Sequence, residues 1–162
     1  MTPSLAWVAR SPARIIAFGF GSGLIRPAPG TWGTLAGWGA FILLLEPLPL
    51  QLRLLAVAAA FALGVWACGR TGRDLGVADH GGMVWDEVAA IWLVLSLVPA
   101  GWAAQGAAFL LFRLFDIVKP PPIRQFDARL KNGLGVMFDD LLAALYVLLV
   151  FASWRLWNES MA

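Results

Sequence analysis

Residues 112–140 of this chain, FRLFDIVKPPPIRQFDARLKNGLGVMFDD, hold nine ionisable side chains between two uncharged hydrophobic runs. They are Arg113, Asp116, Lys119, Arg124, Asp127, Arg129, Lys131, Asp139 and Asp140. A charge beside hydrocarbon is costly unless it is paired, hydrated or functional. This juxtaposition constrains the fold more than any other feature. The surroundings are too apolar for an ordinary soluble domain: 60% of the 162 residues are hydrophobic and 14% charged, against roughly 45–50% and about 25% in globular proteins. We read a single integral-membrane domain over residues 1–162, all-α and polytopic. The net charge of +2 is small, and no nucleic-acid partner is expected. The nine Trp suit a chain with many membrane–water boundaries. The single Cys68 excludes an internal disulfide and is expected to be a small buried hydrophobe. No cleavable leader is read in the first 14 residues, so the spans themselves are expected to direct insertion.

The apolar runs set the spans. Residues 1–30 end in GFGSGLIRPAPG, whose Gly and Pro oppose a regular helix. A short first span starts near Leu35 and stops at Glu46-Pro47. A second, Leu54 to Gly69, has Arg53 and Arg70 at its ends. At about 1.5 Å per residue each needs flanking sequence to cross ~30 Å of hydrocarbon. After a polar loop from Arg70 to Glu87, Val88 to Phe112 runs uncharged but is broken at Pro99-Ala100-Gly101. It is either one kinked span or a helical hairpin. Leu141 to Trp154 is the last span. Positive charge favours the cytoplasmic side of short loops, and the hairpin places nine of the twelve basic residues on one face, with Arg53 and Arg155 opposite. The hairpin is therefore preferred, with the polar loops on one side.

Eight of the ten acidic residues fall in those same loops or at their helix junctions. Asp86-Glu87, Asp116 and Asp139-Asp140 each stand where a loop meets an apolar helix. As first-turn acids, Asp86, Glu87, Asp139 and Asp140 would serve the helix dipole, and Asp116 could pair with Lys119 at i+3. Gathered at one interface, the carboxylates repel one another, and a hard divalent ion such as Mg²⁺ is the usual remedy. Lys119 precedes three prolines and must leave the helix. The Gly/Thr-rich tract Gly19–Gly37 offers close backbone approach to an anion, with Thr31 and Thr34 as hydroxyls; helix packing explains the same glycines. Arg26, Arg113 and Lys119 could neutralise phosphate charge. His80 is either structural or solvent-exposed, or, near Asp79 and the Asp86-Glu87 pair in sequence, a proton shuttle or a hydrogen-bond support for the metal site. One His and one Cys leave no structural zinc site. No P-loop ending is present.

Four segments together carry a resemblance: GSGLIRPAPGTWGTLAG at 21–37, VWDE at 84–87, FRLFDIVKPPPI at 112–123 and GLGVMFDDLLAALY at 133–146. In this order and spacing the chain resembles the phosphatidylglycerophosphatase A family from about Phe18 to Tyr146. Val136, Phe138 and Ala144 depart from the Ile, Leu and Gly expected there, and His80-Gly81-Gly82 is atypical. The resemblance implies a bacterial inner-membrane enzyme, its site on the cytoplasmic side, that hydrolyses phosphatidylglycerophosphate to phosphatidylglycerol and phosphate with Mg²⁺. It implies metal ligands at Asp86, Glu87, Asp116, Asp139 and Asp140, and phosphate contacts at Thr31, Thr34 and Lys119. Asp86 or Asp140 would take the proton of the attacking water, and Arg26 or Arg113 would join Lys119 in offsetting phosphoryl charge. The rival reading is a small cation or proton transporter, which needs carboxylates near mid-span; Leu54–Gly69 and Val88–Phe112 have none. A lipid phosphotransferase would show an Asp-Gly-x-x-Ala-Arg pattern, which is missing.

Overall fold

The computed structural model describes residues 3–121, 123–125 and 131–161. Among these there is no strand. The order is α1 (Leu5–Val8), α2 (Pro12–Ala17), a 3₁₀ segment (Gly19–Leu24), α3 (Pro29–Ala40) widening into a π turn (Phe41–Leu45), α4 (Leu50–Leu75), α5 (Trp85–Leu97), α6 (Trp102–Val118) and α7 (Gly133–Met161). The all-α membrane architecture is as expected. Helices α4 and α7 are long and apolar enough to cross a bilayer.

Helix α5 is the hub. It packs on α3, α4, α6 and α7 and is buried without interruption from Trp85 to Ile91, Asp86 and Glu87 included, because neighbouring helices surround it. The hairpin is present: α5 ends at Leu97, and α6 begins after Gly101, whose φ of 113° opens a turn that a side chain would strain. Helices α3, α5 and α7 leave the end that holds Thr34, Glu87 and Asp140, while α4 and α6 return to it.

Three expectations change. Helix α4 extends past both flanking arginines. Arg53 curls back to donate to the carbonyls of Leu48 and Glu46, keeping its charge at the helix end. Arg70 and Arg73 stay helical, and Asp74 of the last turn pairs with Arg14 of α2 at 2.8 Å. Helix α7 begins eight residues before Leu141, because Asn132 caps it (Gly135 N donates to Asn132 Oδ1 at 3.0 Å) and Gly133 lies against the backbone of α4 at Val65 and Gly69. Asp139 and Asp140 are therefore beyond its first turn, where the dipole reading placed them. Several Trp are cross-braces inside the bundle: the indole N–H groups of Trp85, Trp92 and Trp38 donate to Ala60 O, Gly37 O and Gln105 Oε1. An indole N–H shielded from water needs such an acceptor. Cys68 is buried as expected. Asp127 and Arg129, counted above among the loop charges, lie outside the described residues.

Candidate active site

The site begins with the first turn of α5. Val84 N donates to Ala17 O at 2.8 Å, which anchors the start of the helix against α2. Asp86 and Glu87 follow, both buried. Neighbours in a helix diverge by about a quarter turn, and both remain buried because α5 is surrounded. From α7, Asp140 enters the same space. One oxygen each of Asp86, Glu87 and Asp140 lies within 4.8 Å of the others, and Asp116 of α6 shares the Arg113 guanidinium with Glu87. Carboxylates distant in sequence thus converge.

Cations border this cluster on one side. Arg113 Nη1 lies 2.6 Å from Asp116 and 3.5 Å from Glu87 Oε1, and donates to Thr34 Oγ1 at 3.3 Å. Thr34 in turn donates to Gly30 O at 2.8 Å. Gly30 makes this assembly sterically feasible, since a Cβ there would strike Glu87 Oε1 and the Arg113 guanidinium. Lys119 ends α6 in the left-handed conformation, φ 46°, and its Nζ donates to Asp139 Oδ2. The Asp116–Lys119 pair considered from spacing is thus replaced by Arg113–Asp116 and Lys119–Asp139. Asp139 Oδ1 also accepts from Asp140 N at 3.1 Å, so its carboxylate stands beside the trio.

The donor set fits a hard cation. Asp86 Oδ1, Glu87 Oε2 and Asp140 Oδ2 are buried and have no hydrogen-bond partner among the described residues. Buried polar atoms are ordinarily paired, at a penalty of about 1–3 kcal/mol when they are not. Three neighbouring carboxylates that each carry an unsatisfied oxygen would be relieved together by an ion with oxygen ligands. The cluster could hold a metal. A cleft of about 870 Å³ lies at the opposite end, beside Leu97, Phe151 and Arg155, away from the buried carboxylates.

The remaining candidates are peripheral. Thr31 is half-buried in the first turn of α3, and Arg26 is exposed. His80 Nδ1 accepts from Gly82 N at 3.1 Å and its ring lies against Phe18, a structural use; with Arg26 it lines a separate pocket. Asp79 is exposed. Within the Gly-rich tract, Gly23, Gly33 and Gly37 are packed against Gly82, Val84 and Val88, so packing accounts for them, and Gly30 faces the site. The reading from sequence had not singled out Gly30, although its place just after Pro29 at the helix start was a signal. It also missed Thr71 of α4, whose buried hydroxyl has no partner among the described residues.

With this geometry in view, the relatives can be compared. The family model for phosphatidylglycerophosphatase A matches residues 15–154. The chain belongs to the phosphatidylglycerophosphatase A family. It is 49% identical over 148 residues to phosphatidylglycerophosphatase A of Haemophilus influenzae, covering 91% of each chain. It is 43% identical to the Escherichia coli protein of the same name, over 82% of this chain and 77% of that one. A putative phosphatidylinositol-3-phosphatase of Bacteroides thetaiotaomicron is 39% identical over 86% of this chain and 92% of its own. No solved structure matches. The matched region takes in every carboxylate and cation of the site.

Proposed function

We propose that this chain hydrolyses the phosphate monoester of phosphatidylglycerophosphate, releasing phosphatidylglycerol and inorganic phosphate, in a Mg²⁺-dependent reaction of phospholipid biosynthesis at the cytoplasmic face of a bacterial inner membrane. The observation that carries it is the meeting of three buried carboxylates from α5 and α7, each with a partnerless oxygen among the described residues, beside Arg113. Family membership supplies the substrate class. The relatives' names all describe lipid phosphatases.

Asp86, Glu87 and Asp140 would hold the ion, with Asp116 and Asp139 completing the acidic shell. Bound there, Mg²⁺ supplies charge neutralisation to the phosphoryl oxygens and a more acidic water. The chain's own residues do the rest. Asp86 or Asp140 accepts the proton of the attacking water, which adds to phosphorus in line with the departing glycerol oxygen. Arg113, held by Thr34 and Asp116, and Lys119, fixed by the Pro-terminated end of α6, offset charge on the transferring group. Thr31 and Arg26 would add phosphate contacts, and Asp79 and His80 would support the site from outside the carboxylate cluster. Residues 1–162 act as one domain, with the substrate's acyl chains left in the bilayer. A cation or proton transporter would need carboxylates spaced along a route, whereas the buried acidic side chains among the described residues collect at one end of the bundle.

The test is phosphate release from phosphatidylglycerophosphate by the purified protein. Turnover with Mg²⁺ and its loss on chelation are expected; equal rates with and without the ion would end the metal-dependent reading.

A further inference from the structure

Resting on that reading, we propose that Gln105 of α6 is a positioning residue for the reaction: it locks the register of α3 against α6 and so holds Thr34 and Gly30 in place around Arg113. The contacts run antiparallel along the two helices, one turn apart. Thr34 meets Arg113 at 3.3 Å, Trp38 stacks on Phe109 at 5.6 Å between ring centroids, and the Trp38 indole donates to Gln105 Oε1 at 2.7 Å. Residues 105, 109 and 113 recur at the four-residue spacing of one helix face, as do 34 and 38. The ladder ends past the π turn at Glu46, whose Oε1 accepts from Gln105 Nε2 at 2.9 Å. From Trp102 to Phe112, Gln105 is the only amide, hydroxyl or charged side chain, and it is buried. A buried amide needs partners at both ends. An indole N–H only donates, so Trp38 draws Oε1 towards itself and turns Nε2 to Glu46. An apolar contact at this place would bury the surface equally well and tolerate a slide, whereas a hydrogen bond weakens steeply with distance and angle. The slide matters at the other end of the ladder, where Gly30 leaves no slack. A Cβ there would lie 2.9 Å from Arg113 Nη2 and closer still to Glu87 Oε1. The two bonds of Gln105 thus act, through α3, on the guanidinium that offsets phosphoryl charge.

Turnover and a distance measurement test it. Gln105→Met keeps length and apolar packing and loses both hydrogen bonds. Trp38→Phe loses the first bond from the other side and keeps a ring on Phe109. Each is expected to lower kcat about tenfold with KM within about threefold. Glu46→Gln, which still offers a carbonyl to Nε2, should stay within about twofold of the parent. In a Thr34→Val background, where the ladder no longer reaches Arg113, Gln105→Met should cost less than about threefold. A general loss of packing would cost the same in both backgrounds, and that result overturns the proposal. The second measurement is independent of turnover. Spin labels on Leu43→Cys and Leu114→Cys, both exposed positions, read the register of α3 and its π turn against α6 in reconstituted protein. Their distance distribution should be narrow with Gln105 present and broaden in Gln105→Met; an unchanged distribution overturns the proposal. If the protein hydrolyses no phosphatidylglycerophosphate but the distribution broadens, the lock on α3 stands and the hydrolytic reading falls.

Discussion

Lys119 Nζ donates to the Asp139 carboxylate from a backbone in the left-handed region. A residue that holds positive φ while its side chain reaches a mostly buried acid on another helix does two jobs, and substitutions separate them. Lys119→Ala is expected to lose the pair and keep the backbone strain; Lys119→Gly loses the pair and relieves the strain. Both should lower turnover at least tenfold. The glycine variant should be the more stable by about 1 kcal/mol, read from thermal unfolding in detergent. Equal turnover by both variants and the parent would remove Lys119 from the reaction.

Asp140→Asn preserves shape and takes away charge from the centre of the cluster. Phosphate release is expected to drop at least a hundredfold with membrane expression intact. Divalent-ion binding, followed by Mn²⁺ paramagnetic resonance on the purified protein, should weaken in parallel. Retained turnover within twofold of the parent would exclude this residue from the chemistry.

Gly30→Ala places a methyl group against Glu87 Oε1 and Arg113. A drop in kcat of tenfold or more is expected, because a small displacement of charged groups is amplified in the transition state. Gly81→Ala, where a Cβ meets nothing within 4 Å, should leave kcat unchanged. Matched activities for the two variants would show that Gly30 is not needed for the assembly of the site.

Sidedness follows from helix direction. Reporters placed in the 76–82 loop and between residues 119 and 132 are expected to report the same, cytoplasmic, compartment as the N-terminus. Opposite compartments for the two loops would separate α5's first turn from α6's last and dissolve the site.

Much of this was legible in the chain. Pro99-Ala100-Gly101 announced the α5–α6 turn, and the distribution of basic residues put both polar loops at one end. The convergence of Glu87, Asp116 and Asp140 followed from those two facts. The pairing of charges did not. Lys119 stands three residues from Asp116, yet the pair forms with Asp139, because α6 breaks at Val118 and turns the lysine towards α7. Arg113 was expected to meet phosphate; in the fold it also bridges Glu87, Asp116 and Thr34, a geometry set by how closely α3 approaches α6 at Gly30. Glu46 does close the first span, but Arg53 and Arg70, read as the ends of the second, continue α4, because a long side chain can reach water, a carbonyl or a partner while its backbone stays helical. The tryptophans were assigned to the membrane boundary by their amphipathic character, which serves equally well for bracing one helix to a carbonyl of another.

The shortness of α5 has a consequence for where the reaction happens. Its 13 residues rise about 20 Å, some 10 Å less than the hydrocarbon of a typical bilayer, while the 29 residues of α7 exceed it. The other arm, α6, is also short at 17 residues and is the one that exposes Leu110, Leu114 and Ile117, so the hairpin matches a thin slab of lipid or draws the surrounding lipid thinner. Hydrocarbon thickness then becomes a control on how far a headgroup must sink to reach Asp140. Reconstitution into phosphatidylcholines of increasing chain length should slow the protein progressively on the thick side.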